Sequence, residues 1–249
     1  MNKINKKYIF IALTIVLATC AFIAPLFRPS PLDVLSNWAL VGTALVGLTS
    51  AAFLFEFEGT AAGSKEVALV GMLGTVSAVL RIPFAAVPSV QPCTYLIICA
   101  GYVFGPTAGF MVGAITALVS NFFLGQGPWT VFQIFAWGMA GVSTSYLRCF
   151  NLDRKGLIAL GIAWGYFFGW IMNTWFWAAF VYPLTPRTFI VAQLNSIWFD
   201  TAHAIGNAVF LGVFGTRTIA ILERFRAKFQ WGKAMKLPGS LAKSAAMVN

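Results

Sequence analysis

Apolar runs of about 20 residues recur along almost the whole chain, and that feature decides most of what it can fold into. In helical form such a run crosses the roughly 30 Å hydrocarbon core of a bilayer, where every backbone amide must find its partner inside the protein. The runs are longer than tilted barrel strands and lack their polar alternation, which excludes an outer-membrane barrel. Charged residues are 10% of the 249, against roughly 25% in soluble domains. The sequence therefore predicts an all-α, polytopic membrane protein.

Eight segments are expected, over about 8–27, 35–55, 66–84, 93–105, 107–124, 130–149, 157–181 and 190–220. The fourth is short. The last is long enough to begin as an interfacial stretch before its true span. Lys3, Lys6 and Lys7 ahead of Tyr8–Ala24 give the look of a signal peptide, but no small-x-small cleavage site precedes Pro25, so a retained first helix is expected. The polar, Gly-containing stretch Glu56–Glu66 divides a two-helix hairpin (1–60) from a six-helix core (65–222), and 223–249 forms a basic tail.

The formal net charge is +10, and its distribution is more telling than its size. Lys3, Lys6, Lys7, Lys65, Arg148, Arg154, Lys155 and seven residues from Arg217 to Lys243 fall on one side, 14 in all; only Arg28, Arg81 and Arg187 fall on the other. By the positive-inside rule both termini and the 149–157 loop are cytoplasmic, in a multi-pass protein of the cell (cytoplasmic) membrane. The tail after Arg217 then lies at the anionic inner leaflet of the lipid bilayer, and nucleic acid is not expected as a partner. The four cysteines, Cys20, Cys93, Cys99 and Cys149, show no CxxC or Cys/His spacing, so neither a metal site nor a disulfide framework is expected.

Polar side chains inside such spans mark the candidate site, because an unpartnered amide in lipid is expensive. The stretch Ser120-Asn-Phe-Phe-Leu-Gly-Gln-Gly-Pro-Trp-Thr-Val-Phe-Gln-Ile-Phe-Ala-Trp-Gly138 places Asn121 and Gln126 around a Gly-Pro turn. Trp129, Gln133 and Trp137 follow every four residues and share a helix face. That face fits either a ligand wall or interface-belt packing. In the last segment Ser196, Asp200, His203 and Asn207 form one stripe at spacings of 4, 3 and 4. Asp200 and His203 either contact a ligand or are satisfied structurally, Asp200 by Arg81 or Arg187. No nucleophile, second carboxylate or metal-ligand set accompanies them, so no catalytic residue is assigned. The preceding segment adds Asn173 and Trp177, again four apart. In the first core helix Gly71/Thr75 and Gly74/Ala78 are small-xxx-small pairs, suited to close helix approach within the chain or to a partner subunit, with Arg81 at the far end.

All these side chains fall in the outer half, which describes a pocket open to the outside; a channel needs polar lining along its whole length. No phosphate-binding loop is present, so an ATP-driven step belongs to other subunits and no cofactor is expected in this chain.

The helix opening Lys65-Glu-Val-Ala and ending Leu80-Arg-Ile-Pro83, the runs Val90-Gln-Pro-Cys-Thr94 and Ala100-Gly-Tyr-Val-Phe-Gly-Pro-Thr-Ala-Gly-Phe-Met-Val-Gly113, and the Gly125-Gln-Gly-Pro-Trp-Thr130 turn resemble the substrate-binding S components of energy-coupling factor (ECF) transporters. The resemblance covers roughly 65–222; the N-terminal hairpin lies outside the six-helix S-component pattern. It implies a subunit that captures a vitamin, works with a transmembrane coupling protein (T component) and two cytoplasmic ATPases, and topples in the membrane to release substrate inward. It also implies that Gln91 joins the substrate-binding set and that a small-residue face of the first core helix, Gly71/Thr75 or Gly74/Ala78 here, meets the coupling protein. Abundant Trp and neutral amides suit a bulky, planar or amide-bearing vitamin, with cobalamin or a related corrinoid the first choice and a queuosine precursor among the others. Two other classes stand as alternatives: an intramembrane enzyme using Asp200 and His203, and a membrane scaffold or assembly protein.

Overall fold

In a computed structural model, the structure describes residues 38–59 and 64–229, with residues 9, 10, 13, 16, 17 and 20 of the N-terminal segment. Most of the expected first helix, the 60–63 link and residues 230–249 of the tail lie outside the described residues. The chain is an all-helical polytopic membrane protein: α1 (Trp38–Gly59), α2 (Ser64–Phe84), α3 (Cys93–Phe104), α4 (Pro106–Leu124), α5 (Trp129–Leu147), α6 (Arg154–Phe180), α7 (Pro186–Asn195), α8 (Ile197–Phe210) and α9 (Thr216–Lys228). Among the described residues, four helical stretches are long and apolar enough to cross a membrane: Ser64–Phe84, Pro106–Leu124, Arg154–Phe180 and the continuous Ile197–Lys228.

Successive core helices run in opposite directions, so the loops 85–92, 125–128 and 181–185, all carrying Pro, gather at one end. The 148–153 turn and α9 lie at the other, basic end. The turn between α4 and α5 needs Gly125 at φ +105°, a region that side chains with a Cβ avoid.

The expected short fourth segment is α3, whose 12 residues reach only about 18 Å and are nearly all buried. It is a central post, not a lipid-facing span. Its last carbonyls have no helical partners of their own. Arg148 supplies them, donating to Tyr102 O (3.2 Å) and Val103 O (2.9 Å) while pairing with Glu223 at 2.6 Å. Around this post Gly101, Gly109 and Gly141 let α3, α4 and α5 touch backbone to backbone; a Cβ on Gly109 would stand 2.7 Å from Gly101 Cα.

The long last segment divides at Ser196. A ten-residue helix, α7, with no buried residue precedes it, opened by a Thr185–Thr188 capping box. Beyond Ser196, α8 continues through a π-helical stretch, Leu211–Gly215, into α9 without a break. These 32 residues measure about 48 Å, more than the hydrocarbon core, so the basic end projects beyond it. In the hairpin, α1 lies along α5: a Cβ on Gly42 would meet Phe132, and one on Gly47 would meet Val131, at ordinary contact distance.

Candidate functional site

The loop end of the core holds two polar networks, and the predicted residues divide between them. The first centres on Arg81, which is only 8% exposed. Its Nε donates to Gln91 Oε1 (3.0 Å), and one terminal nitrogen donates to Ser120 Oγ (2.6 Å) and Asn121 Oδ1 (2.7 Å). The Asn121 amide passes the bonding on to Thr130 Oγ1 (2.9 Å) and Gln133 Oε1 (2.7 Å), and Thr130 donates to Gln126 Oε1 (3.0 Å). The guanidinium lies over the Trp137 ring, 4.8 Å from its centroid. Trp137 Nε1 donates to Thr94 Oγ1 (3.1 Å), which bonds His203 Nε2 at 2.9 Å. Arg81, Gln91, Asn121, Gln126, Gln133, Trp137 and His203, scattered over more than a hundred positions, thus form one assembly.

The second network joins α6, α7 and α8. Asp200, 4% exposed, accepts from Ser196 Oγ (2.9 Å) and Asn173 Nδ2 (3.4 Å). Asn173 also donates to Ser196 Oγ and to Gln193 Oε1 (3.1 Å). A side chain at Gly169 would collide with the Asp200 carboxylate, so that glycine makes the room the acid occupies. Asp200 pairs with neither Arg81 nor Arg187: the hydrogen bonds of Arg81 and Asp200 all go to neutral groups, and the ion pairs among the described residues are Arg148–Glu223 and Arg226–Glu223. Asp200 and His203 share a face of α8 but bond different partners, Asn173 and Ser196 for the acid and Thr94 for the imidazole. Between the networks, Trp137 packs on Phe168 at 4.7 Å and Phe168 on His203 at 5.0 Å.

The other predicted residues sit apart. Trp129 meets Trp175 edge-on at 6.0 Å. Trp177 donates to Thr188 Oγ1 (3.0 Å) and packs on Phe189, tying α7 to α6. Asn207 donates to Gly161 O (3.0 Å) in the α6–α8 contact, well below both networks. Of the two small-residue pairs, Gly74 and Ala78 face inward. A Cβ on Gly74 would stand 2.6 Å from Ile115 Cβ, and Ala78 is fully buried. Gly71 has open space beside it and Thr75 is exposed, with Met72, Val76 and Val79 exposed around them.

A cavity of about 780 Å³ opens among α5, α6, α7 and the start of α8, lined by Phe135, Met139, Trp164, Phe167, Trp170, Ile171, Thr174, Phe189, Gln193, Leu194 and Ile197. Its size is that of a small-molecule site, and its wall is aromatic. Phe135 and Met139 come from the side of α5 turned away from Gln133 and Trp137, which face the Arg81 network. None of the predicted residues appears in this lining. Gln193, Thr130, Thr94 and Ser120 are participants that sequence reasoning missed. Gln193 had one available signal, an amide in an apolar run three residues ahead of Ser196. Among the described residues, no group of three His, Cys, Asp or Glu could hold a metal ion.

Compared with known proteins, residues 65–215 match the family model of the ECF transporter substrate-specific component. No curated protein and no solved structure matches the chain.

Proposed function

The chain belongs to the substrate-specific components of ECF transporters, a transport family and not an enzyme family, and from that premise we propose that it captures a vitamin at its loop end. The observation that carries this is the aromatic cavity of about 780 Å³ between α5, α6 and α7, large enough to bury most of a vitamin-sized ligand. The Arg81 network stands behind the Trp137–Phe168 contact, on the far side of α5 from this cavity. With Thr174 and Gln193 as the polar side chains of the lining, the buried part of the ligand is flat and apolar. A corrinoid, our first choice, would keep its amide-bearing rim toward the open mouth.

The loop end is extracytoplasmic and both termini are cytoplasmic in this proposal, supported by the 14 to 3 division of Lys and Arg. A T component and two ATPases energise release inward. The T component docks on Gly71 and Thr75, because Gly74 and Ala78 are already used within the chain. Residues 65–222 are the capturing core, with 1–60 and 223–249 as additions to it.

Mass spectrometry of small molecules that copurify with the full chain tests the proposal. A vitamin in near-stoichiometric amount supports it. A preparation that carries none, and binds none of a vitamin panel by calorimetry, counts against it.

A further inference from the structure

Arg81 can only donate hydrogen bonds, and that fixes the direction of each amide around it. Gln91 must offer its oxygen to Arg81 Nε, which leaves Gln91 Nε2 over. Asn121 likewise gives Arg81 its Oδ1, so its nitrogen turns to Gln133, whose Oε1 accepts and whose Nε2 is left over in turn. Ser120 Oγ accepts from Arg81 and donates its own proton to Thr116 O (2.7 Å). Within the guanidinium, Nε and one terminal nitrogen, Nη1, are engaged, while Nη2 has no hydrogen-bond partner among the described residues. Three nitrogens are therefore spare: Arg81 Nη2, Gln91 Nε2 and Gln133 Nε2. Unlike Ser50 Oγ, Gln193 Nε2 and Asn207 Oδ1, which are buried without a partner, these three keep accessible surface. Gln91 itself is half-buried, next to the exposed residues 85–88 of its loop. The cage turns its acceptors inward and has only donors to offer.

Its charge is also uncompensated. The ion pairs among the described residues involve Arg148 and Arg226, and the partners of Arg81 are all neutral. Neutral acceptors satisfy N–H groups, but a buried cation is costly without a counter-charge. One cation with spare donors and no spare acceptor selects a single negative charge that accepts hydrogen bonds. A planar carboxylate meets that description and matches guanidinium geometry. We propose that the Arg81 cage is an anion site for the carboxylate of a small organic molecule, bound by Arg81 Nη2 with the Gln91 and Gln133 amides as neighbouring donors. The site lies on the far side of α5 from the aromatic cavity, so the proposal does not depend on that cavity capturing the vitamin.

Acetate and acetamide are the probes, because they share one shape and differ in charge and in the donors that acetamide carries. Each is titrated at about pH 7.5, in chloride-free buffer of constant ionic strength, into the full chain in detergent. The rise of Tm with concentration, followed by Trp fluorescence, gives the Kd. The wild type should bind acetate about tenfold or more tighter than acetamide, the size of a hydrogen bond to a charged group. Chloride, titrated in the same way, should bind at least about tenfold more weakly than acetate, since one sphere cannot reach several donors as two oxygens do. Gln91→Glu sets a carboxylate of the chain itself against Arg81 Nε. That variant should melt at or above the wild-type Tm and lose at least about tenfold in acetate affinity. Equal binding of acetate and acetamide by the wild type overturns the proposal, as does chloride binding as tight as acetate, which would make this an inorganic-anion site. A Gln91→Glu variant that keeps the wild-type preference for acetate overturns it too.

Discussion

The two small-residue pairs of α2 make opposite predictions, and a pair of leucine substitutions separates them. At Gly74 a Cβ would sit 2.6 Å from both Cβ and Cγ2 of Ile115, where ordinary contact begins near 3.4 Å, so α2 and α4 must part by close to an ångström. A leucine adds three more carbons in the same place. Overpacking of this kind costs about 1–3 kcal/mol. The separation also stretches the bonds from Arg81 to Ser120 and Asn121, now 2.6 and 2.7 Å, and bonds to a charged group contribute about 1.5–3 kcal/mol each. A loss of about 3 kcal/mol for Gly74→Leu follows, which lowers Tm by about 6–12 °C in a chain of this size. Gly71→Leu meets open space and gains up to about 1 kcal/mol of helix propensity, so its Tm should match or exceed the wild type. The same variant should abolish copurification with the T component, since the leucine fills the approach surface. Thermal unfolding in detergent, followed by Trp fluorescence, reads the first effect, and affinity pull-down of the T component reads the second. Gly71→Leu melting as early as Gly74→Leu would refute the packing argument. Undiminished pull-down of Gly71→Leu would refute the docking assignment.

Arg81→Lys should not rescue Arg81: one ammonium cannot serve Gln91, Ser120 and Asn121 in the fork geometry, and a Tm several degrees below the wild type is expected. Truncating Trp129 or Gln133 to Ala should leave vitamin binding nearly unchanged in calorimetry, because neither lines the cavity; a loss of about 1–3 kcal/mol would move the capture site to the Arg81 side of α5. Glu223→Gln should cost no more than about 1 kcal/mol, because its pair with Arg148 is roughly a third exposed. Arg148→Met should cost clearly more, since it also strips the carbonyls of Tyr102 and Val103; equal Tm losses would assign the whole effect to the ion pair.

The spans were legible because lipid leaves the backbone so few alternatives that hydropathy alone locates a helix. The helical period puts Trp129, Gln133 and Trp137 at one register of α5. What periodicity cannot state is which neighbour that face meets. Trp137 is 1% exposed, turned to Arg81 and Thr94, and the described cavity is walled by Phe135 and Met139 on the other side of the same helix. The division of the last segment was legible only as excess length. No Gly or Pro stands at Ser196; the chain turns there because Asp200 and Asn173 engage the Ser196 hydroxyl, a contact that needs α6 in place. Gln193 was lost for the same reason, since its meaning lies in a partner twenty residues away.

Arg81 and Asp200 show why single charges in a membrane sequence do not announce their partners. Pairing the buried cation with the buried acid is the obvious economy, yet each sits in a cage of neutral groups. An ion pair is favourable in a low dielectric only if its geometry satisfies the remaining lone pairs and protons. Arg81 finds three acceptors within 3.0 Å on α4 and the 85–92 loop and a π-face on α5, all on its own side of the Trp137–Phe168 contact. Asp200 finds its donors on α6 and at the α7–α8 junction, where Gly169 leaves it room. Bringing the two together would break both cages and displace His203, which bridges to Trp137 through Thr94. The separation therefore keeps two independently ordered polar networks, one around a cation beside Trp137 and one around an acid at the α7–α8 junction, each held by neutral partners without a salt bridge drawn across the core.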